Sequence, residues 1–230
     1  MCLRQSSAHP DAPMTVTSLG RSQQSPIGAL NLGIIVLYAT GSAHEGRPNH
    51  RCRTRGTRVR LLDVEEQRIP FDLDAYIAEV TSGRECFVCR IVREPEPEHP
   101  VIFQDGQHIA FLNRYPPLLG YTLVAPVGHK ERVVEDFDLA SYLALQSFIH
   151  RLGCAISKVV PTERLYLLSL GSQQGNSHVH WHLAPLPPGV PFEQQQFAAL
   201  VTERQGFIDQ SVVQREELAL RIRVAFDEMQ

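Results

Sequence analysis

The chain has 230 residues, 43% of them hydrophobic, and a formal net charge of −3, which suits one buried core with extensions. The charge is uneven: residues 1 to 60 hold eight Arg against Asp11 and Glu45, a net +6, leaving −9 for residues 61 to 230. An acidic folded part argues against generic nucleic-acid binding. Five Cys (Cys2, Cys52, Cys86, Cys89 and Cys154) are too few and odd in number for a disulfide framework, which points to a reducing, cytoplasmic compartment.

In chain order, residues 1 to 26 are rich in Ser, Gln, Pro and Gly without apolar periodicity and read as disordered. The apolar run Ile27 to Ala39 is too short to cross a bilayer. Arg21 before it and Gly41-Ser42-Ala43 after it resemble a secretory signal, a reading opposed by the long polar lead. Arg47, Arg51, Arg53, Arg55, Arg58 and Arg60 read as a solvated tail rather than a nucleic-acid or membrane arm. Residues 1 to 60 are therefore expected to be a disordered, Arg-rich extension that the folded part does not need, with 61 to 84 a helical lead-in.

Leu73, Tyr76, Ile77 and Val80 have helical spacing after Asp72, and Gly83 supplies a stop. Val101 to Gln104 and His108 to Asn113 read as a strand pair around Asp105-Gly106, followed by a strand at Tyr121 to Ala125. Asp136 to Val160 predicts the longest helix, with Leu139, Tyr142, Leu143, Ile149, Leu152 and Ile156 on its apolar stripe. Arg164 to Leu170 predicts a strand leading through an amide-rich loop, Gly171 to Ser177, into Gly175-Asn176-Ser177-His178-Val179-His180-Trp181-His182-Leu183-Ala184-Pro185. Alternation of His with Val, Trp and Leu predicts a half-buried strand with His178, His180 and His182 on one face and Val179, Trp181 and Leu183 facing the core. These two strands are expected to pair as a hairpin, and Pro185, Pro187, Pro188 and Pro191 to end the sheet. Glu193 to Gln205 and Asp209 to Glu228 predict two C-terminal helices packing on the domain from residue 191 on. The second has a capping box at Ser211 and Gln214 and an apolar stripe at Leu218, Ile222, Ala225 and Phe226.

Imidazole titrates near neutrality, so a row of three supplies nucleophile, proton carrier or metal ligand at cellular pH. A metal hydrolase would bring histidines and a carboxylate to an ion with an open position; a phosphoryl- or nucleotidyl-transfer enzyme would use one as nucleophile and others as donors to phosphate oxygens. The row lacks a carboxylate, and the neighbouring loop offers Gln, Asn, Ser and Gly, which favours transfer. Separately, Cys86 and Cys89, with His129 closing one strand and His178 opening its expected neighbour, form a candidate structural zinc site. A redox pair is the rival reading, disfavoured because a helix start and βαβ context are not evident.

The run His178-Val179-His180-Trp181-His182-Leu183-Ala184 fits the His-φ-His-φ-His-φ-φ motif and resembles the histidine triad superfamily. The blocks Ile109 to Arg114, Pro117, and Gly120 to Pro126 before His129 resemble that family's early strands, so the likeness spans about residues 85 to 188, within a domain expected at 85 to 190. The resemblance implies an α+β fold with an antiparallel sheet, commonly a homodimer, and hydrolysis or transfer at the α-phosphate of a small-molecule nucleotide; the charge balance and the reading of the Arg-rich stretch as a solvated tail give the expectation of no nucleic-acid or membrane partner. By position it makes His180 the nucleophile and His182 a holder of phosphate oxygens, with Gln174 and Ser177 beside the phosphates and Asn113 at the ribose. Two departures stand out: the loop before the triad lacks the usual Asn and Ala-Gly, and Tyr121 stands where His is common. A nucleotide-binding scaffold with little turnover, or a zinc-dependent hydrolase, remain alternatives.

Overall fold

A computed structural model describes residues 67–83, 85–173 and 175–229. The expected extension 1 to 60, the apolar run within it, the start of the lead-in and the candidate Gln174 lie outside the described residues. Five strands, β2 (Val101–Gln104), β3 (His108–Leu112), β4 (Thr122–Pro126), β5 (Arg164–Ser169) and β6 (Trp181–Leu186), form an antiparallel sheet in the order β2-β3-β4-β6-β5. The fold is α+β, as the sequence implies. Asp105 makes the β2–β3 turn by accepting from the N–H groups of Gln107 and His108, each at 2.7 Å.

Every residue of β3 and β4 is buried, because helices cover both faces of the sheet. Ala110, Leu112, Val124 and Leu183 pack with α3 (Leu139–Val159) and α6 (Val212–Asp227). Ile109, Phe111, Leu123, Ala184 and Leu186 instead meet α2 (Phe87–Arg93) and α4 (Gln195–Leu200). Fully burying such a side chain stabilises the fold by about 1.5–3 kcal/mol, and the period of two sends alternate residues to opposite layers. On β6 this directs Trp181 and Leu183 toward α3, and sets His182 in line with Ala184 and Leu186 on the α2 side.

Two pieces frame that second face. Helix α1 (Leu73–Val80) starts at Asp72, whose carboxylate accepts from Ala75 N at 2.9 Å. Ahead of it, β1 (Arg68–Ile69) pairs antiparallel with β7 (Phe207–Ile208). Between α4 and β7 lies α5 (Thr202–Gln205), so the expected helix Glu193 to Gln205 is broken at Val201 and preceded by a 3₁₀ turn. The capping box of α6 forms with both of its hydrogen bonds. No helix among the described residues is long and apolar enough to cross a membrane.

Three expectations are corrected. Leu139 and Leu143 are 73% and 56% exposed, while Leu145, Phe148 and Ala155 join Ile149, Leu152 and Ile156 in the buried stripe of α3. Pro185 does not end the sheet: it lies within β6 opposite Leu165. Regular strand begins only at Trp181, because the backbone of His178 to His180 bonds elsewhere. Val179 N donates to the Lys130 carbonyl at 2.7 Å, and the carbonyl of His180 accepts from the Ser169 hydroxyl at 3.1 Å. His178 and His180 are consequently buried (0% and 4% exposed), as is Val179 between them.

Candidate functional site

The three histidines separate into two adjoining sites. His178 faces away from the other two. Its Nε2 lies 3.0 Å from the carbonyl of Pro126, and since a carbonyl only accepts, Nε2 carries the proton and Nδ1 keeps its lone pair. That lone pair faces Cys86 Sγ at 3.4 Å and Cys89 Sγ at 3.6 Å. Cys89 Sγ in turn lies 3.4 Å from His129 Nδ1, whose ring sits 4.7 Å from that of His178. His129 Nε2 bonds the Glu131 carboxylate at 3.2 Å, which leaves its Nδ1 unprotonated.

The donor atoms of Cys86, Cys89, His129 and His178 all lie within 4.8 Å of one another. Zinc bonds of about 2.3 Å to sulfur and 2.0 Å to nitrogen at a tetrahedral angle put S and N about 3.5 Å apart, close to the separations here. Each imidazole also donates its other N–H to an oxygen, the arrangement that orients metal-ligating histidine. Burial, then Cys86, push the Cys89 thiol up to about 11, opposite to the depressed pKa of a reactive redox cysteine. Burial lowers His178 to about 4, keeping it a neutral ligand at pH 7. Contrary to expectation, the thiols do sit at a helix start, with Cys86 as the N-cap of α2. The sheet around them is antiparallel, without βαβ context.

His180 and His182 line a cavity of about 280 Å³ together with Asn113, Phe87, His99 and Tyr76. His180 Nδ1 is 2.7 Å from the carbonyl of His178, so Nδ1 bears the proton and Nε2 its lone pair. Burial lowers its pKa, which keeps the ring neutral. The Phe87 ring meets it edge-on at 5.5 Å, and the His182 ring lies 4.9 Å away. Burial first, then His180, lower His182 to about 3. Its Nδ1 is 3.1 Å from the Tyr121 hydroxyl.

Of the remaining candidates, Asn113 lines the cavity while its Oδ1 accepts from Tyr115 N at 3.1 Å. The Ser177 hydroxyl donates to Glu131 at 3.1 Å, on the cysteine side of the histidine run. Sequence reasoning missed Tyr76, His99 and Glu131. Tyr76 reads only as part of a helical stripe, yet its hydroxyl accepts from Asn176 Nδ2 at 2.6 Å and closes α1 over the cavity. Nothing in the sequence links His99, an isolated histidine before Pro100, to the triad. Glu131, two residues past His129, was the most legible as a carboxylate partner for a ligating imidazole. A larger cleft of about 1500 Å³ near Arg68, Pro187 and Arg221 is lined by no His or Cys.

No protein-family model matches the chain. It is 28% identical over 104 residues to an uncharacterized HIT-like protein of Saccharolobus solfataricus, covering 44% of this chain and 73% of that protein. To an uncharacterized HIT-like protein of Borreliella burgdorferi it is 27% identical over 105 residues, 44% of this chain and 75% of the other. Among solved structures, it superposes with a TM-score of 0.50 on a hypothetical histidine triad nucleotide-binding protein of Sulfolobus tokodaii, at 24% identity over 62% of this chain and 93% of that one. A zinc-bound histidine triad family protein of Mycobacterium smegmatis gives a TM-score of 0.50 at 20% identity, covering 64% of this chain and 96% of that chain.

Proposed function

We propose that this chain, which belongs to the histidine triad superfamily, is a nucleotide hydrolase or transferase acting at the α-phosphate through a covalent bond to His180. One observation carries the reading: the 2.7 Å bond from His180 Nδ1 to its neighbour's carbonyl. That bond puts the ring proton on Nδ1, so in the ring that burial keeps neutral the Nε2 lone pair is free to attack, and the carbonyl oxygen stabilises the positive ring formed after attack. The lone pair of Nε2 forms an N–P bond as the bond from phosphorus to the leaving group breaks. Its electron pair leaves with the amine or phosphate, which takes a proton from solvent. Water then bonds phosphorus, the N–P pair returns to Nε2, and a proton passes to solvent as the mononucleotide departs.

In this reading His182 donates to phosphate oxygens and Asn113 contacts the ribose. Gln174 and Ser177 serve the phosphate side, Ser177 by exchanging its bond to Glu131 for one to an oxygen. The substrate class is a nucleoside phosphoramidate or dinucleoside polyphosphate. A cavity of about 280 Å³ is at the small end of ligand sites, about 300–1,000 Å³, which suits one nucleotide with the leaving group outside. Cys86, Cys89, His129 and His178 would hold one Zn²⁺ per chain. When bound, the ion supplies a cross-link between the start of α2 and the segments around His129 and His178. Four protein donors fill a tetrahedral shell, which supports a structural ion over a zinc-dependent hydrolase. The exposed sheet edge at β5, with Leu167 51% exposed and Leu170 45% exposed just beyond it, supports a homodimer.

Mass spectrometry after acid-free quenching with adenosine phosphoramidate should find the chain heavier by one nucleotidyl group. His180→Ala should lose that adduct and at least about 10³-fold in kcat, with nucleotide binding largely kept. An unchanged rate in His180→Ala would remove the covalent mechanism. A parent protein that binds nucleotide without turnover would favour a scaffold role.

A further inference from the structure

We propose that Tyr121 is a positioning residue that sets the tautomer of His182, donating to Nδ1 so that the ring proton sits on Nε2. The inference rests on the reading above, since it names what prepares His182 to hold a phosphate oxygen. Gly120, with φ of +78°, turns the chain into β4. Tyr121 is then fixed by its backbone, its N–H donating to the Leu118 carbonyl at 3.1 Å and its own carbonyl accepting from Asn113 N at 3.0 Å. The side chain is 4% exposed, and its ring stands edge-on to that of His182 at 5.7 Å.

The direction of the 3.1 Å bond between the Tyr121 hydroxyl and His182 Nδ1 follows from what else each group can do. A phenol has one proton to place, and no other hydrogen-bond partner of this hydroxyl is seen among the described residues. If the phenol accepted from Nδ1–H, its own proton would have no protein acceptor, a cost that buried groups avoid. Burial also raises the Tyr121 pKa, so the phenol stays protonated. Donation from Tyr121 makes Nδ1 the acceptor and puts the ring proton on Nε2. His182 Nε2 is itself buried and lacks a hydrogen-bond partner among the described residues. A buried N–H donor without a partner, on a ring that lines the cavity of His180 and Asn113, is a group kept for a ligand oxygen. Thus the two histidines have opposite roles at the same atom: Nε2 of His180 offers a lone pair, and Nε2 of His182 offers a proton.

The test reads the tautomer directly. In protein carrying ¹⁵N-labelled histidine, NMR near pH 7 should show His182 protonated on Nε2 alone. Tyr121→Phe, which keeps the ring, should yield a mixture of the two tautomers. It should also lower kcat for adenosine phosphoramidate by about five- to tenfold, the loss expected from one hydrogen bond of about 1 kcal/mol, with KM changed less than twofold. A proton on Nδ1 of His182 in the parent protein would overturn the proposal. So would tautomer populations unchanged in a folded Tyr121→Phe protein. If the parent turns over no nucleotide, the catalytic reading fails while the NMR result still decides the tautomer.

Discussion

His178, His180 and His182 carry the same side chain, and what distinguishes them is the partner of the nitrogen not used for chemistry. A backbone carbonyl holds His178 Nε2 and another holds His180 Nδ1, whereas a phenol meets His182 Nδ1. The electrostatic consequence is testable at His182. Its pKa is lowered to about 3, by burial first and by His180 second, against about 6.5 in the unfolded chain. Between those values the unfolded state binds more protons, so this residue's contribution is complete above about pH 6.5 and is lost as pH falls toward 3. The melting temperature of the parent should therefore fall more steeply from pH 6.5 to 4 than that of His182→Gln. Equal slopes would mean that His182 titrates alike in both states.

Elements were legible where one pattern decided them. The helix start after Asp72, the Asp105 turn and the Ser211 capping box are local chemistry, and the structure has all three. The long helix was legible in its extent but not in its face. Leu139 and Leu143 lie near its N-terminal end, ahead of the residues that meet the sheet, and spacing alone gives no information about where the covering layer begins. The histidine run was legible as a candidate site and misread as uniform strand. Alternation predicts a ladder, whereas Val179 bonds to Lys130 in a segment distant in sequence. For α6 the stripe read correctly, with Ile222 fully buried and Leu220 55% exposed. Ile222→Ala should cost about 2–5 kcal/mol by leaving a cavity between α6 and α3. Leu220→Ala should stay within about 0.5 kcal/mol. Urea unfolding checks both, and equal costs would show that α6 does not pack as described.

For the whole molecule, the metal cluster and the sheet edge make separate claims that one set of measurements distinguishes. If zinc holds α2 to the segments around His129 and His178, a strong chelator should lower the melting temperature by at least several degrees, and Cys89→Ser should mimic it. Light scattering at micromolar concentration should give twice 25.8 kDa with the metal bound. A metal-free protein of unchanged melting temperature removes the first claim, and a 25.8 kDa mass the second. The pairing of β1 with β7 is a different kind of joint. It has two residues per strand, and both residues of β1 are exposed. Just before β7, a Cβ at Gly206 (φ +68°) would stand 2.2 Å from the Ile69 carbonyl oxygen. So small a unit belongs to the part of the molecule that opens by local unfolding long before the central strands do. Backbone amide protons of Ile69 and Ile208 should exchange with solvent far faster than those of β3 and β4, and Gly206→Ala should speed them further; equally slow exchange would show that the joint opens only with the whole domain. Since α1 is the next element after β1 and walls the cavity through Tyr76, each release of this short clasp would free one end of that wall while the sheet beneath it stays closed.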